Sequence, residues 1–482
     1  MRVAILGAGA SGICLGIQLL EAGLVDFTIF EKSDDVGGTW HDNSYPGACC
    51  DVPSHLYSFS FERRSDWSRK FAPQAEIQQY FRHCVDKYRL RPHIRFGTEI
   101  RGARFDEAKG VWRLRSTAGE EIEADVLASG VGQLNRPHVP HFPGAESFAG
   151  ASFHSARWDH GIDLTGKRVG VIGNAASAVQ FIPPVAEQAA ALHIFQRSAN
   201  WLNPRLDRAY SEREKWCFAH LPLWERLHRW WIYWNFELRF WAFRGKGEGW
   251  LARQIEKASR GYVESVIEDP ALREALLPDY PAGCKRILIS DDYVPALRRA
   301  NVELVTSGIE RITNGGIVTR DGRHRPLDAI VYATGFETTS FLAPIEIEGL
   351  GGRKLHEVWR DGAEAYLGVC TSGFPNLFML YGPNTNLGHN SILFMIEAQV
   401  RYILECLQEL GRSGRAWLEV RPEAQERFNE EIQAALADTA WATSCGSWYK
   451  TASGKITNNW KGFTLEYWWR TRRPDWSAFR FA

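Results

Sequence analysis

The chain has 482 residues, which corresponds to about three domains at roughly 150 residues per domain. Apolar residues make up 45% and charged residues 24% of it, which is typical of globular proteins and excludes disordered, collagen-like and coiled-coil classes. The 57 basic and 57 acidic residues leave a formal net charge of zero, so only a local patch could attract nucleic acid or anionic lipid.

Cysteine spacing and the start of the chain indicate the compartment. The nine cysteines are odd in number, scattered and never spaced C-x-x-C, which argues against a disulfide framework, a zinc site or a dithiol redox centre. The chain runs almost at once into an apolar strand at Val3–Leu6 without a basic leader, and no stretch of about 18 uncharged apolar residues follows. We therefore expect a cytoplasmic protein without a metal site, a nucleic-acid partner or membrane contact.

The first predicted elements are a strand over Arg2–Leu6, a glycine-rich turn and a helix. The turn has glycines where a dinucleotide fold needs a tight turn, close approach to a diphosphate and close helix packing, at Gly7, Gly9 and Gly12. A second apolar strand ends at Glu31, 24 residues after Gly7. A carboxylate there accepts hydrogen bonds from a ribose diol, so the pattern predicts FAD in this unit.

A second unit repeats this arrangement further along the chain. A strand leads into the turn Gly173–Ala178 and a helix, and the next strand is followed by Arg197, 24 residues after Gly173. This is the offset that the acid has in the first unit, and an arginine suits the 2′-phosphate of NADP. The pattern predicts NADPH here, although Ala175 and Ala178 stand where the motif has glycine, which moves the diphosphate slightly outward.

Two later strands complete the units, one before Gly130 and one before Gly335. Because the NADP-like unit stands between two parts of the flavin-like unit, we predict that it is an insertion. The predicted fold is α/β, with two Rossmann-like dinucleotide-binding domains. Their predicted bounds are 1–147 with 326–482 for FAD and 148–325 for NADP, the latter including an aromatic-rich helical insertion at 205–280.

A polar loop and a helix are predicted late in the flavin-like unit. The loop contains Asn384, and the helix begins near Ser391. A helix N-terminus close to the flavin pyrimidine stabilises the negative charge of the reduced flavin. Core packing alone also accounts for this helix, and the two interpretations are compatible.

The segment between the two units narrows the choice of chemistry. It carries the pattern F-x-G-x-x-x-H-x-x-x-W-D through Phe148, Gly150, His154, Trp158 and Asp159. At every specified position it resembles the fingerprint of type I Baeyer–Villiger monooxygenases. Further segments resemble the same family, namely Gly37–Trp40, Tyr45–Asp51, Ser54–Phe59, Gly283–Arg286 and Ser447–Tyr449.

The resemblance implies a role for each matching residue. Arg286 would be the active-site arginine, Asp51 its carboxylate partner and Trp448 the residue that reaches the nicotinamide cofactor. The implied FAD contacts are Gly7, Gly9, Ser11, Gly12, Glu31, Lys32, Gly38, Thr39, Trp40, Asp51, Tyr57, Asn384 and Ser391. The implied NADP contacts are Gly173, Asn174, Ala175, Ala176, Ser177, Ala178, Val179 and Gln180 at the diphosphate, and Arg197, Ser198 and Lys285 at the 2′-phosphate. His154 is then a conformational or packing residue of the linker rather than a proton donor.

The implied reaction uses NADPH and O2 to convert a small-molecule ketone into an ester or lactone through a flavin peroxide. Two successive anions require a fixed cation that cannot act as an acid, and an arginine meets this requirement because it stays protonated at any relevant pH. Two alternatives stay open. One is oxygenation of nitrogen or sulfur by a related flavin monooxygenase, and the other is a non-catalytic protein that binds FAD and NADP.

Tryptophan is unusually frequent, with 20 in the chain and seven of them from Trp216 to Trp250. Aromatic residues at helical spacing most often form an additional core layer, and we favour this interpretation. A hydrophobic entrance for bulky ketones and an interfacial membrane helix are the alternatives, since arginines are interleaved with the aromatic residues. Net neutrality and the acids Glu225 and Glu237 weigh against the membrane alternative.

Overall fold

Two parallel five-stranded sheets form the framework of the computed structural model, which describes residues 1–482. In the first sheet the strand Val3–Leu6 lies between Phe27–Phe30 and Val126–Ser129. Its edge strands are Leu377–Met379 and Ile94–Arg95. All pairs are parallel, and the central strands are buried, as expected of a parallel sheet that is covered on both faces.

The two faces of the first sheet pack against different layers. Ile5 faces a helical layer, whereas its neighbour Leu6 joins Trp112 of an antiparallel sheet on the other side, because successive strand residues point to opposite faces. The helices of the first layer are Ala10–Glu21, Gln74–Lys87 and Ile392–Ser413. The antiparallel sheet comprises Ile100–Asp106, Val111–Ser116 and Glu121–Ala124, with Glu346–Glu348 added in parallel at its edge.

The second sheet repeats the parallel arrangement. Its strands, in spatial order, are Val302–Val305, Ala191–Phe195, Arg168–Ile172, Ala329–Tyr332 and Ala151–His154. The helices Ala178–Gln188 and Tyr293–Ala296 pack together in the core of this unit. Because Ala329–Tyr332 pairs with Arg168–Ile172, the second unit extends to Tyr332, and the boundary predicted at 325 is too early.

Smaller sheets complete the two units. A three-stranded antiparallel sheet consists of Ile309–Thr313, Gly316–Thr319 and His324–Pro326. The two-stranded pairs are Leu202–Asn203 with Leu288–Ile289, and Leu418–Val420 with Phe479–Phe481. The remaining helices outside the insertion are Thr39–Asp42, Leu355–Val358, Pro422–Leu436 and Thr464–Arg470.

The helical insertion consists of four helices, Glu212–His220, Pro222–Glu237, Trp250–Val266 and Pro270–Leu276. Ser211 starts the first of them with a reciprocal cap, since its hydroxyl accepts the Glu214 N–H and the Glu214 carboxylate accepts the Ser211 N–H. Pro222 starts the second, where its fixed φ suits the first helical turn. No helix of the chain combines the length and the apolar composition that crossing a membrane requires.

The tryptophans of this insertion do not form the predicted core layer. Buried residues of its inner side include Ile232, Phe236, Phe240 and Phe243. Six of the seven tryptophans instead lie outside and are 50–69% exposed, namely Trp216, Trp224, Trp230, Trp231, Trp241 and Trp250. The core-layer interpretation is therefore wrong for these six side chains.

Candidate active site

The first glycine loop connects the strand Val3–Leu6 to the helix Ala10–Glu21 and is closely packed against backbone at Gly12. A Cβ on Gly12 would collide with the Gly7 carbonyl oxygen, and a Cβ on Gly38 would lie 3.0 Å from the Cα of Gly9. No side chain caps the start of the helix, so its N–H groups stay available for an anion. This bare cradle fits the diphosphate of FAD.

Glu31 lies at the end of the second strand and is only 5% exposed. Its Oε2 accepts the N–H of Ala8 at 2.7 Å, and its Oε1 accepts the N–H of Ser33 at 2.9 Å. These bonds fix the carboxylate beside the glycine loop and leave lone pairs for the hydroxyls of a ribose. The position of Glu31 therefore agrees with its expected role.

The other residues expected at FAD differ in their surroundings. Ser11 is buried in the first turn of the helix, whereas Lys32 is exposed to solvent. Thr39 and Trp40 begin a short helix, and the Trp40 indole N–H donates to the Tyr57 hydroxyl at 2.9 Å. The Trp40 and Tyr57 rings also meet edge to face, with centroids 5.6 Å apart. Thus the fold brings Trp40 and Tyr57 together and leaves the Lys32 side chain in solvent.

An ion pair joins the two nucleotide-binding units. Asp51 lies on a loop of the first unit, Arg286 lies on a loop of the second, and the Arg286 Nη2 donates to the Asp51 Oδ2. The carboxylate charge of Asp51 raises the pKa of Arg286 above its ordinary value, so the guanidinium stays protonated. Both side chains are about one-third exposed, at 32% and 37%. Only one guanidinium nitrogen has a protein partner, so the others can donate to a bound group.

Gln180 connects the same two units close to this ion pair. Its Oε1 accepts the Tyr45 hydroxyl at 3.0 Å and the Cys49 N–H at 3.2 Å, and its Nε2 donates to the Cys49 carbonyl at 3.1 Å. The Tyr45 ring also packs on Phe181. The side-chain amide of Gln180 therefore binds the loop that carries Asp51, and its contact with the NADP diphosphate stays a prediction.

The second glycine loop has a more open helix start than the first. A Cβ on Gly173 would collide with the Ala333 carbonyl oxygen, while Ala175 is exposed. Asn174 donates through Nδ2 to Gln196 and to the Ser198 carbonyl, at 2.6 and 3.2 Å. Residues of this loop that are partly exposed at the start of the helix are Gly173, Asn174, Ala176 and Ser177. In contrast, the side chains of Ala178 and Val179 lie in the core, so only their backbone can contact a nucleotide.

A basic corner lies where the 2′-phosphate of NADP is expected. The Lys285 Nζ donates to the Ser198 hydroxyl at 2.7 Å and lies 4.6 Å from the centre of the Tyr280 ring. Burial and the nearby charge of Arg197 lower the pKa of Lys285. The Arg197 side chain is exposed and has no acidic partner. The corner thus holds two cations and a hydroxyl, which fits a phosphate.

The side chains of the fingerprint segment pack against neighbouring residues and cap local backbone groups. Trp158 packs between Phe153 and Phe181, and the Asp159 carboxylate accepts the Gly161 N–H at 2.9 Å. His154 accepts the Ala156 N–H through Nδ1 at 3.1 Å, and burial lowers the pKa of His154 to about 4. The imidazole is therefore neutral near pH 7, which agrees with a conformational role. Phe148 is half-buried, and Gly150 is required because a Cβ there would collide with the Asp328 carbonyl oxygen.

Comparison with known proteins identifies the family. The flavin-binding monooxygenase-like family matches residues 1–214. A Baeyer-Villiger monooxygenase of Pseudomonas aeruginosa is 44% identical to this chain over 483 aligned positions, which span 100% of this chain and 91% of the relative. The chain belongs to the Baeyer–Villiger monooxygenases.

Further relatives of this enzyme agree. A Baeyer-Villiger monooxygenase of Streptomyces coelicolor is 42% identical over 100% of this chain and 92% of its own length. The solved structure of an oxidized steroid monooxygenase bound to NADP has 32% identity and a TM-score of 0.88, and covers 100% of this chain and 99% of its own. A closed structure of cyclohexanone monooxygenase has 28% identity and a TM-score of 0.90, with the same coverage. The predicted family and the predicted α/β fold with two dinucleotide-binding domains are confirmed.

The polar loop before the helix Ile392–Ser413 contains Asn384 and Ser391, which are both expected to contact FAD. The Asn384 Nδ2 donates to the carbonyls of Ile456 and Asn459, at 2.8 and 3.2 Å, so this side chain holds the C-terminal segment, and its contact with FAD stays a prediction. Ser391 precedes the helix, and its buried hydroxyl has no partner in the protein. A buried hydroxyl without a partner fits a site that a cofactor completes.

The C-terminal segment contributes residues that sequence reasoning missed. Tyr449 is buried next to Trp448, with ring centroids 4.4 Å apart, and burial raises the pKa of Tyr449 to about 12. Cys445 forms a disulfide with Cys284, two residues before Arg286, with Cα atoms 6.3 Å apart. The cysteine spacing argues only against a disulfide framework and does not anticipate this single pair, because residues 161 positions apart become neighbours only in the fold.

Proposed function

We propose that this enzyme uses FAD, NADPH and O2 to convert ketones into esters or lactones. The observation that carries the proposal is the Asp51–Arg286 pair, which holds a permanent cation between the loops of the two nucleotide-binding units. The steroid monooxygenase structure bound to NADP, and OTEMO structures in complex with FAD and NADP, support the choice of cofactors. Bound FAD, after reduction by NADPH, supplies the activated oxygen.

Arg286 stabilises the negative charge that develops on the reacting oxygen atoms. Its guanidinium is fixed at one nitrogen by Asp51, so the remaining N–H groups are oriented before the ketone arrives. A preorganised donor of this kind lowers the activation barrier by about 3–4 kcal/mol. An arginine also holds its proton throughout, because Asp51 raises its pKa further, and therefore does not protonate an anionic oxidant.

The two glycine loops position the cofactors on either side of this cation. Glu31 holds the adenosine ribose of FAD, and the start of the helix Ala10–Glu21 holds its diphosphate. Arg197, Lys285 and Ser198 hold the 2′-phosphate of NADPH, and this contact selects NADPH over NADH. The hydroxyl of Ser391 and the N-terminus of its helix stabilise negative charge on the flavin side.

The test is NADPH consumption by the FAD-loaded enzyme with a panel of linear, cyclic, aromatic and steroid ketones, together with product mass. We expect ketone-stimulated consumption and a product one oxygen atom heavier than the ketone. A parallel panel of thioethers and tertiary amines addresses the alternative chemistry. Stimulation by the thioethers or amines alone would favour heteroatom oxygenation, and no NADPH consumption with any compound would favour a non-catalytic protein.

A further inference from the structure

The outer side of the helical insertion carries an unusual concentration of exposed apolar side chains. Of the seventeen large apolar side chains exposed on the whole chain, ten lie between 216 and 250. We call these ten the aromatic face; they are Trp216, Leu221, Leu223, Trp224, Leu227, Trp230, Trp231, Leu238, Trp241 and Trp250. A clustered apolar surface of this kind marks a contact site, whereas single exposed apolar residues do not.

The helix Pro222–Glu237 is apolar on two opposite sides. Its inner side is fixed to the protein through Ile232 and Phe236, and through Arg229, which donates to the Ser58 carbonyl at 3.0 Å. Its outer side presents five residues with spacings of three, four and seven positions, Leu223, Trp224, Leu227, Trp230 and Trp231. Since these spacings belong to one helix face, the outer side is a continuous apolar strip that nothing in the chain covers.

The exposed charges around this strip are mostly positive. From 215 to 250 four cations are exposed, namely Arg226, Arg239, Arg244 and Lys246, together with one acid, Glu248. The other two acids of this stretch are buried. Glu225 accepts the Arg63 Nη1 at 2.6 Å, and Glu237 accepts the Asn390 amide at 2.7 Å. The stretch therefore presents aromatic residues, four cations and a single carboxylate to solvent, so its exposed charge is net positive.

We propose that the aromatic face docks on the surface of an anionic lipid bilayer, with the helix Pro222–Glu237 lying in the plane of the interface. Tryptophan and arginine together suit the boundary between headgroups and acyl chains. A second copy of this chain is a poorer partner, because a symmetric contact would place four cations against four cations with only Glu248 of each copy to offset them. The proposal is independent of the ketone reaction.

This proposal revises the reasoning behind the expected absence of membrane contact. That expectation rests on whole-chain neutrality and on Glu225 and Glu237. The structure turns both carboxylates inward, so neither reduces the positive charge of the outer surface. Because no helix can span a bilayer, the contact is confined to the interface.

The test is flotation of the FAD-loaded enzyme with vesicles of phosphatidylcholine alone and of phosphatidylcholine with phosphatidylglycerol. We expect flotation with the anionic vesicles only, decreasing as salt is raised, since exposed charges are screened beyond about 10 Å at 0.1 M salt. Tryptophan emission should shift to shorter wavelength on binding, because the indoles leave water. Absence of flotation with anionic vesicles would overturn the proposal.

Two variants separate the apolar from the electrostatic contribution. Trp224→Ser/Trp230→Ser/Trp231→Ser should abolish flotation, and Arg226→Gln/Arg244→Gln/Lys246→Gln should weaken it roughly a hundredfold, at roughly fivefold for each basic residue. The matched control replaces exposed apolar residues elsewhere, Val25→Ser/Val139→Ser/Val358→Ser, and should float like the unmodified enzyme.

Folding of each variant is checked by its FAD content and NADPH oxidation, which we expect to be unchanged because none of these residues contacts the proposed site. Light scattering in the absence of lipid addresses self-association. Equal flotation of the tryptophan variant and the unmodified enzyme would overturn the proposal. A dimer that becomes a monomer in the tryptophan variant would also overturn it, and would assign the aromatic face to a second copy.

Discussion

Replacing Arg286 by alanine separates reduction of the enzyme from transfer of oxygen. Arg286 has one protein partner, Asp51, and its remaining N–H groups are free. The variant removes a preorganised cation, whose loss costs about 3–4 kcal/mol, or roughly a hundredfold to a thousandfold in kcat. It also leaves Asp51 without its partner, which adds an unbalanced negative charge beside the developing anion. We therefore expect at least a hundredfold loss of ester formation.

The assay measures two rates on the same FAD-loaded protein. The rate of flavin bleaching by NADPH without oxygen reports reduction, and the rate of ester formation reports oxygen transfer. We expect Arg286→Ala to be reduced within about tenfold of the normal rate, since the 2′-phosphate contacts at Arg197 and Ser198 are intact. Arg104→Ala is the matched control, because this arginine is 74% exposed in a surface ion pair, where a single pair contributes about 0–1 kcal/mol.

Ester formation by Arg286→Ala at the normal rate would refute the assignment of the cation. Arg286→Lys separates the effect of charge from that of hydrogen-bond geometry, because a lysine keeps the positive charge but lacks the rigid guanidinium with its several N–H donors. We expect this variant to fall between alanine and the unmodified enzyme. A lysine variant that is as slow as alanine would show that hydrogen-bond geometry, rather than charge, determines the rate.

Three further predictions concern the nucleotide corner, the loop contact and the linker. Arg197→Ala should raise the KM for NADPH about tenfold or more and leave the KM for NADH nearly unchanged. The reason is that it removes a charged partner of the 2′-phosphate, worth about 1.5–3 kcal/mol. Equal effects on the two KM values would contradict the assignment. Gln180→Ala should lower the free energy of unfolding by about 1–3 kcal/mol and increase the hydrogen peroxide formed per NADPH, because it frees the loop that carries Asp51. The control is Gln188→Ala, at the exposed end of the same helix. Burial holds the pKa of His154 at about 4 in the folded protein, whereas in the unfolded chain this histidine takes up its proton near pH ~6.5. Its contribution should therefore lower the free energy of unfolding by about 3 kcal/mol as the pH falls from about 6.5 to 4. A His154→Asn variant should show a shallower loss of stability in urea titrations across that window, and an unchanged slope would contradict the burial argument.

The nucleotide-binding units were predictable because their determinants are local in sequence. The glycines of the first loop, Glu31 and the strand before it lie within 31 residues, and the cradle depends on backbone that only glycine permits. The same local logic places Arg197 beside the second loop. The strand Ala329–Tyr332 is also expected to complete a unit, and it pairs in the second sheet; the predicted bound at 325 is too early because it cuts off this strand, whose pairing depends on the fold.

The ion pair at the centre of the site could not be derived from the residues alone. Asp51 and Arg286 are 235 positions apart on two loops, and only the resemblance to a family connects them. The amide of Gln180 binds the loop of the other unit, a contact that its place in a glycine motif does not reveal. Side-chain direction in a loop depends on which neighbour offers a donor or acceptor, and this is a property of the assembled units.

The aromatic insertion shows why hydrophobic periodicity has a limit. When a helix is apolar on one side only, periodicity predicts that this side is buried. The helix Pro222–Glu237 is apolar on two sides, so periodicity cannot predict which of the two faces the core. The deciding residues are polar: Glu225 and Arg229 point inward because Arg63 and the Ser58 carbonyl offer them partners there. A buried charge requires a partner, whereas an exposed tryptophan requires none, so the charged residues orient the helix and the tryptophans occupy the side that remains.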